Sequence, residues 1–188
     1  MVRIHTRGMR GIDKLFRYDL LSRESQIEAL YNERSAIIKA GYRYADESLN
    51  SLFEFADILG SKVTDFKVNF YDKGDRTYCK FKRISKYADI SLYEIVQNLS
   101  KHDGLFTGYF ADIHLFRCLR ELVYESEESN VNIILKKCFL AWLEGCREEA
   151  DAYLSEDYLI SKFNSDDFLF LEDGTYFSRG NNPLSYLV

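Results

Sequence analysis

The chain has 188 residues, of which 46 % are hydrophobic and 29 % charged, with a net charge of −5. This composition excludes a disordered chain, and no stretch reaches the ~18 apolar residues that a membrane span needs. No apolar signal segment follows the basic start, and the four cysteines show no C-x-x-C spacing. We therefore expect reduced thiols, no membrane association and a cytoplasmic location.

Charge is distributed unevenly along the chain. Residues 1–102 carry a net charge of +4, whereas residues 103–188 carry −9. A polarised charge distribution bears on partners and association rather than on fold. It favours recognition of a charged partner.

The first two predicted segments are a basic arm over 1–19 and a long amphipathic helix in the segment 22–60. The arm contains the arginines Arg3, Arg7 and Arg10. Ser22 is a suitable helix cap, and small or apolar residues then recur at alternating spacings of three and four. This heptad pattern predicts one helix over about 22–59, which Gly60 ends.

The apolar stripe of this helix also predicts a homodimer. A helix of this length exceeds the diameter of a small domain, so part of its stripe is expected to meet a second copy. The predicted dimer seam consists of Ile38, Tyr42, Ala45, Leu49, Leu52 and Ala56. Packing within the chain, with a break at Gly41, is the alternative.

A β-hairpin is predicted over about 66–83. Apolar and polar residues alternate from Phe66 onward, which is the period of a half-buried strand. A two-residue turn on Lys73-Gly74 places Phe66 opposite Phe81 and keeps all apolar partners on one face.

Four helices and a second hairpin complete the chain. The predicted helices cover about 90–104, 107–126, 130–154 and 155–163. The third of them is apolar nearly all round, so we expect it at the centre of the core. The second hairpin, over about 168–178, turns on Asp173-Gly174, and turn or strand-entry roles account for most of the carboxylates around it.

These elements predict an α+β fold in a single domain, 1–188. Its mainly helical core is expected to pack against one small antiparallel sheet that contains both hairpins. The region 61–188 then holds the first hairpin, the helices and the C-terminal hairpin.

Common catalytic and cofactor motifs are absent. The sequence contains no G-x-x-x-x-G-K-[ST], G-x-G-x-x-G, G-x-S-x-G or H-E-x-x-H. His114 and Cys118 are four residues apart on one helical face, but structural zinc sites usually show closer ligand pairs. We therefore expect no metal and no cofactor, and a protein that is not an enzyme.

The first functional hypothesis is a non-enzymatic protein-binding module. Many tyrosines and phenylalanines suit an interface, and the acidic half suits a basic or nucleic-acid-processing partner. The predicted acidic binding face consists of Glu121, Glu125, Glu127, Glu128, Glu148, Glu149 and Asp151. Small size and missing catalytic motifs are typical of inhibitors, immunity proteins and accessory proteins of phages or mobile elements.

Two alternatives remain open. The first is a nucleic-acid-binding regulator, since basic residues beside aromatics on a β-ribbon can bind a phosphate backbone. Its predicted residues are Arg3, Arg7, Arg10, Lys67, Arg76, Tyr78, Lys80 and Lys82. The second is an enzyme with an unfamiliar site near His102, Asp103, Asp112 and His114.

Overall fold

A computed structural model describes residues 2–3, 14–72, 77–84 and 91–179. The elements in chain order are β1 (Val2–Arg3), β2 (Lys14–Leu15), α1 (Arg23–Ala40), α2 (Ala45–Ile58), β3 (Ser61–Lys67), β4 (Tyr78–Arg83), α3 (Leu92–Ser100), α4 (Ala111–Tyr124), α5 (Val131–Ala152), α6 (Glu156–Ser165), β5 (Phe168–Phe170) and β6 (Tyr176–Arg179). The predicted α+β class is confirmed. Among the described helices, none combines the length and the apolar character that crossing a membrane requires.

The chain divides into two compact units. Unit 1 consists of Met1–Ala40 and Asp151–Val188, and unit 2 consists of Gly41–Ala150. Unit 2 is thus continuous in sequence, whereas unit 1 is built from both ends of the chain.

An aromatic cluster forms the core of unit 1. Tyr18, Phe163, Phe168 and Phe170 are all buried, and the ring centroids of Phe163 and Phe170 lie 5.1 Å apart. Phe16 extends β2 toward β5, because its N–H and carbonyl oxygen both bond to the backbone of Phe170 at 2.9 Å. Aromatic packing and strand pairing therefore join the two segments of unit 1.

The C-terminal hairpin is present, but its turn differs from the prediction. A two-residue turn on Asp173-Gly174 would place Phe170 opposite Phe177, but Phe170 pairs with Tyr176. The turn holds three residues, since the Leu171 N–H bonds to the carbonyl oxygen of Thr175 at 2.9 Å. The residue with positive φ is Gly174, at +88°, where it forms the bulge of a longer turn. Asp173 has a turn role as predicted, since its carboxylate accepts a hydrogen bond from the Thr175 N–H at 2.8 Å.

Helix α5 supplies the centre of the unit 2 core. Ile134, Leu135, Cys138 and Trp142 have no exposed surface. The indole Nε1 of Trp142 donates a 3.1 Å hydrogen bond to the carbonyl oxygen of Ser48 on α2. The all-round apolar pattern of this helix was thus a sound indicator of its central position.

The predicted long helix is two helices in the structure. Helix α1 ends at Ala40, Gly41 adopts φ +87°, and α2 begins four residues further on. Tyr42 then turns inward, is 6 % exposed and lies 4.7 Å from the Phe70 ring between centroids. The free energy gained by burying the Tyr42 ring exceeds what a continuous helix across Gly41 would gain.

The two hairpins do not share a sheet. Within the described residues β3 pairs only with β4, and β5 pairs with β6. Phe66 lies opposite Cys79 and not opposite Phe81, so the predicted register is wrong by two residues. Asn69 ends the extended run after β3, since its side-chain oxygen accepts hydrogen bonds from two following N–H groups. The turn predicted at Lys73-Gly74 lies outside the described residues.

Candidate binding surface on α2 and hairpin β3–β4

The β3–β4 register places a basic surface on one face of the hairpin. Opposed residues in a ladder share a face, and successive residues alternate. This outer face consists of Lys62, Asp65, Lys67, Tyr78, Lys80 and Lys82. Four lysines against one aspartate give it a net charge of +3.

Contacts within the outer face order its centre. The Asp65 carboxylate accepts hydrogen bonds from Lys80 Nζ at 2.7 Å and from the Tyr78 hydroxyl at 3.3 Å. The hydrogen bond from Lys80 lowers the pKa of Asp65. The Lys80 ammonium also lies 5.3 Å from the centroid of the Tyr78 ring, within cation–π range.

The outer face contains four residues of the predicted nucleic-acid set. Lys67, Tyr78, Lys80 and Lys82 lie together as predicted. The remaining four arginines cannot be assigned to this face, because their side chains lie outside the described part of the chain: Arg3, Arg7, Arg10 and Arg76.

A groove of about 600 Å³ runs between α2 and β3, and we call it the edge groove. Its walls are Phe53 and Asp57 on α2 and the six consecutive residues 61–66 on β3. A groove along a sheet face would be lined by alternate residues of a strand, whereas a groove along a strand edge meets every residue. The edge groove therefore follows the edge of β3 that lies away from β4.

Backbone polar groups of β3 point into this groove. The carbonyl oxygen of Gly60 accepts a 2.9 Å hydrogen bond from the N–H of Ile84, so these two residues are a hydrogen-bonded pair. Hydrogen-bonded and non-hydrogen-bonded pairs alternate in an antiparallel ladder. Ser61 and Val63 consequently direct their N–H and C=O groups away from β4.

An aromatic pair borders the edge groove. Phe53 and Phe66 are 37 % and 41 % exposed, and their ring centroids lie 5.4 Å apart in an edge-to-face arrangement. Ser61 also lines the groove, and its buried hydroxyl makes no hydrogen bond with the described residues. Sequence reasoning missed this site because residues thirteen positions apart meet only when α2 folds back on β3.

Helix α2 adds negative charge beside the edge groove. Asp46 and Asp57 share the helical face of Phe53, and Glu54 follows Phe53 directly. All three carboxylates are exposed, and none forms an ion pair with a described residue. We call these three carboxylates of α2 the acidic rim; Asp57 lines the groove itself, and the strand side contributes Lys62 and Asp65.

The predicted acidic binding face is divided in the structure. Glu121, Glu125, Glu127 and Glu128 lie near the start of α5, whereas Glu148, Glu149 and Asp151 lie near its end. At ~1.5 Å per residue, the length of α5 separates these groups by roughly 25 Å. Glu149 is moreover engaged, since its carboxylate accepts a hydrogen bond from the Tyr42 hydroxyl. Burial and this hydrogen bond raise the pKa of Tyr42.

The four residues of the enzyme hypothesis have separate environments. Asp112 is fully buried, and its carboxylate accepts hydrogen bonds from three backbone N–H groups and from the Thr107 hydroxyl. His114 lies against Gly145, whereas His102 and Asp103 are exposed in the turn after α3. The carboxylate of Asp112 thus holds the loop before α4 by hydrogen bonds. Its position in the first turn of α4 is the sequence signal for this role.

The described residues contain no group of three or more His, Cys, Asp or Glu side chains arranged to hold a metal ion. All four cysteines are free thiols. Cys118 and Cys138 hydrogen bond to each other, which lowers the pKa of Cys118 and raises that of Cys138.

The predicted dimer seam has two different environments. Leu52 and Ala56 are fully buried in unit 2, and Tyr42 is 6 % exposed. These residues meet no second copy while unit 2 stays folded. On α1, Ile38 is 49 % exposed and the nearby Tyr31 is 64 % exposed. Self-association stays a prediction, and α1 is the part of the seam that offers surface for it.

The chain matches no known family model, and neither a curated protein nor a solved structure matches it.

Proposed function

We propose that this protein is a non-enzymatic protein-binding module and that the edge groove is its binding site. The observation that carries the proposal is the edge of β3 that pairs with no described strand and faces a groove bordered by two half-exposed phenylalanines. Exposed aromatics beside unpaired strand backbone are the features with which proteins hold extended segments of their partners. The acidic rim from Asp46, Glu54 and Asp57 favours a basic partner.

Affinity capture with matched variants tests this function. Wild-type protein, Phe53→Glu and Leu140→Glu are each immobilised and exposed to an extract of the cells that make the protein. Leu140 is the control, because it is a 62 % exposed apolar residue on α5. We expect a protein that wild type and Leu140→Glu both retain and that Phe53→Glu loses. Retention by all three variants would assign the binding to another surface.

The outer face supports a second candidate function, the binding of nucleic acid. Lys62, Lys67, Lys80 and Lys82 lie together there beside the exposed ring of Tyr78. Lysines of this kind bind phosphates, and an exposed tyrosine can stack on a base. A titration with labelled single-stranded and duplex DNA or RNA tests it at several salt concentrations. Micromolar binding with a steep negative salt dependence, lost in Lys80→Glu/Lys82→Glu, supports it, and binding unaffected by that substitution contradicts it.

A further inference from the structure

We propose, building on the proposed function, that the edge groove binds an extended basic segment of the partner as an added β-strand. The backbone of β3, the two phenylalanine rings at the groove and the charges on either side of it define the geometry and the chemistry of the bound segment.

The backbone of Val63 offers the two hydrogen bonds that anchor an added strand. Ser61 and Val63 both direct their N–H and C=O groups away from β4, but Ser61 has no exposed surface. Val63 is partly exposed, so it is the residue that pairs with the bound segment. The six residues that line the groove span about 20 Å at ~3.3 Å per residue. The bulge at Thr64 bends this edge, so the regular portion lies before it.

Side chains of the bound strand would alternate between two environments. Those facing α2 meet Phe53, Phe66 and the carboxylate of Asp57, with Glu54 exposed on the same helix. Those on the opposite side continue the outer face beside Lys62. The segment that fits has lysine or arginine and large apolar residues at alternate positions, with uncharged or acidic residues between them.

The same charges separate this site from nucleic-acid binding. A phosphate backbone in the edge groove would lie beside the carboxylate of Asp57, which disfavours it. The groove and the outer face therefore suit different classes of ligand.

Selection from a random nine-residue peptide library displayed on phage tests the inference, with intact wild-type protein as the target. We expect enriched peptides with Lys or Arg and β-branched or aromatic residues at alternate positions. An enriched peptide is then synthesised with a fluorophore, and its affinity is measured by anisotropy.

Two variants separate backbone pairing from side-chain contact. Val63→Pro removes an N–H that points to the groove and leaves the β3–β4 hydrogen bonds intact, so the fold should tolerate it. Val63→Ala is the control, because it removes the side chain and keeps the N–H. We expect Val63→Pro to weaken peptide binding about tenfold or more and Val63→Ala to weaken it less than about threefold.

Charge reversal and amide exchange keep the test decisive if Val63→Pro does not fold. Glu54→Lys/Asp57→Lys changes exposed positions, and we expect it to weaken binding about tenfold or more, while Glu28→Lys/Glu144→Lys, at exposed positions of α1 and α5, has no effect. Bound peptide should also slow hydrogen exchange at the Val63 amide in wild type.

The outcomes distinguish the two levels of the proposal. Strand addition would be overturned by a peptide whose affinity does not change on charge reversal and whose binding leaves hydrogen exchange at the Val63 amide unchanged. If Phe53→Glu still weakens binding of that peptide, the proposed function is kept. No enriched peptide would overturn strand addition, and the proposed function also fails if no captured protein depends on Phe53.

Discussion

The guanidinium of Arg147 donates two hydrogen bonds to the carbonyl oxygen of Asn69, at 3.2 Å from Nε and 3.0 Å from Nη2. The same Nη2 lies 3.1 Å from the carbonyl oxygen of Asp72 and 3.4 Å from the Thr77 hydroxyl. Asn69 follows β3, and Thr77 precedes β4. A 9 % exposed cation on α5 thus fixes both arms of the hairpin beyond its ladder.

Arg147→Lys is expected to destabilise unit 2 by about 2–3 kcal/mol. The single ammonium group of lysine cannot reach the three acceptors that the planar guanidinium of arginine bonds at once. Urea unfolding followed by the fluorescence of Trp142, the chain's single tryptophan, measures the effect on unit 2. Arg120→Lys, at an exposed position of α4, is the control and should stay within about 0.5 kcal/mol of wild type. Equal stability of the two variants would contradict the role of Arg147.

Asp112→Ala is expected to cost about 3 kcal/mol in the same assay. The substitution leaves the N–H groups of Phe106, Thr107 and Gly108 without their carboxylate acceptor. His102→Ala removes an exposed side chain and should change stability by less than about 0.5 kcal/mol. A stable Asp112→Ala variant would reopen a functional role for this carboxylate.

Gly145→Ala is expected to destabilise unit 2 by about 1–3 kcal/mol through overpacking. A methyl group at this position would lie 2.4 Å from three atoms of the His114 ring. His114→Ala in the same chain removes the clash, so the double variant should recover at least about 1 kcal/mol relative to additivity. Strictly additive effects would show that α4 and α5 adjust to the methyl group in another way.

The stability of unit 2 is expected to fall as pH falls below about 6.5, the ordinary pKa of histidine. Burial, with a smaller contribution from Arg117, lowers the pKa of His114. The unfolded chain then binds a proton more readily than the folded chain, so the stabilisation is present above that pH and is lost toward the lower folded pKa. One such group contributes a slope of at most about 1.4 kcal/mol per pH unit. Unfolding of wild type and His114→Gln between pH 5 and 8 checks it, and identical slopes would contradict it.

Gly174→Ala is expected to loosen unit 1 by about 2–4 kcal/mol. The residue has φ +88°, and an added methyl group would lie 2.2 Å from the carbonyl oxygen of Ser25. Gly108 is a matched control, since it has φ +83° but no atom within 4 Å of such a methyl group. Gly108→Ala should cost only the backbone term of about 1–2 kcal/mol, measured on unit 2. Hydrogen exchange at α6 amides reports unit 1, and unchanged protection in Gly174→Ala would refute the close packing.

Local patterns in the sequence predicted most of the helices and both hairpins. The start of α6 is one example: the helix predicted over about 155–163 begins after Ser155, a residue type that favours this position, and the Ser155 side chain accepts a hydrogen bond from the Tyr158 N–H. Register was less accessible, because the position of the bulge at Thr64 depends on contacts of β3 outside the strand itself.

The binding surface was only half predictable. The outer face follows from strand alternation, so its lysines were found before the structure. The edge groove depends on α2 lying beside β3, which brings Phe53 to Phe66 through a turn at Gly60. No sequence periodicity predicts the approach of these two rings. The break after Ala40 likewise depends on a tertiary contact, the burial of Tyr42.

The division of the chain has a consequence for the order of folding. Unit 2 is continuous from Gly41 to Ala150, so its fold, including the edge groove, draws on no residue of either segment of unit 1. The buried side chains of α1 have their partners on α6 and the C-terminal hairpin, more than a hundred residues further along the chain. Since domains fold as units, a partner of the groove binds a part of the protein whose folding does not wait for that distant pairing.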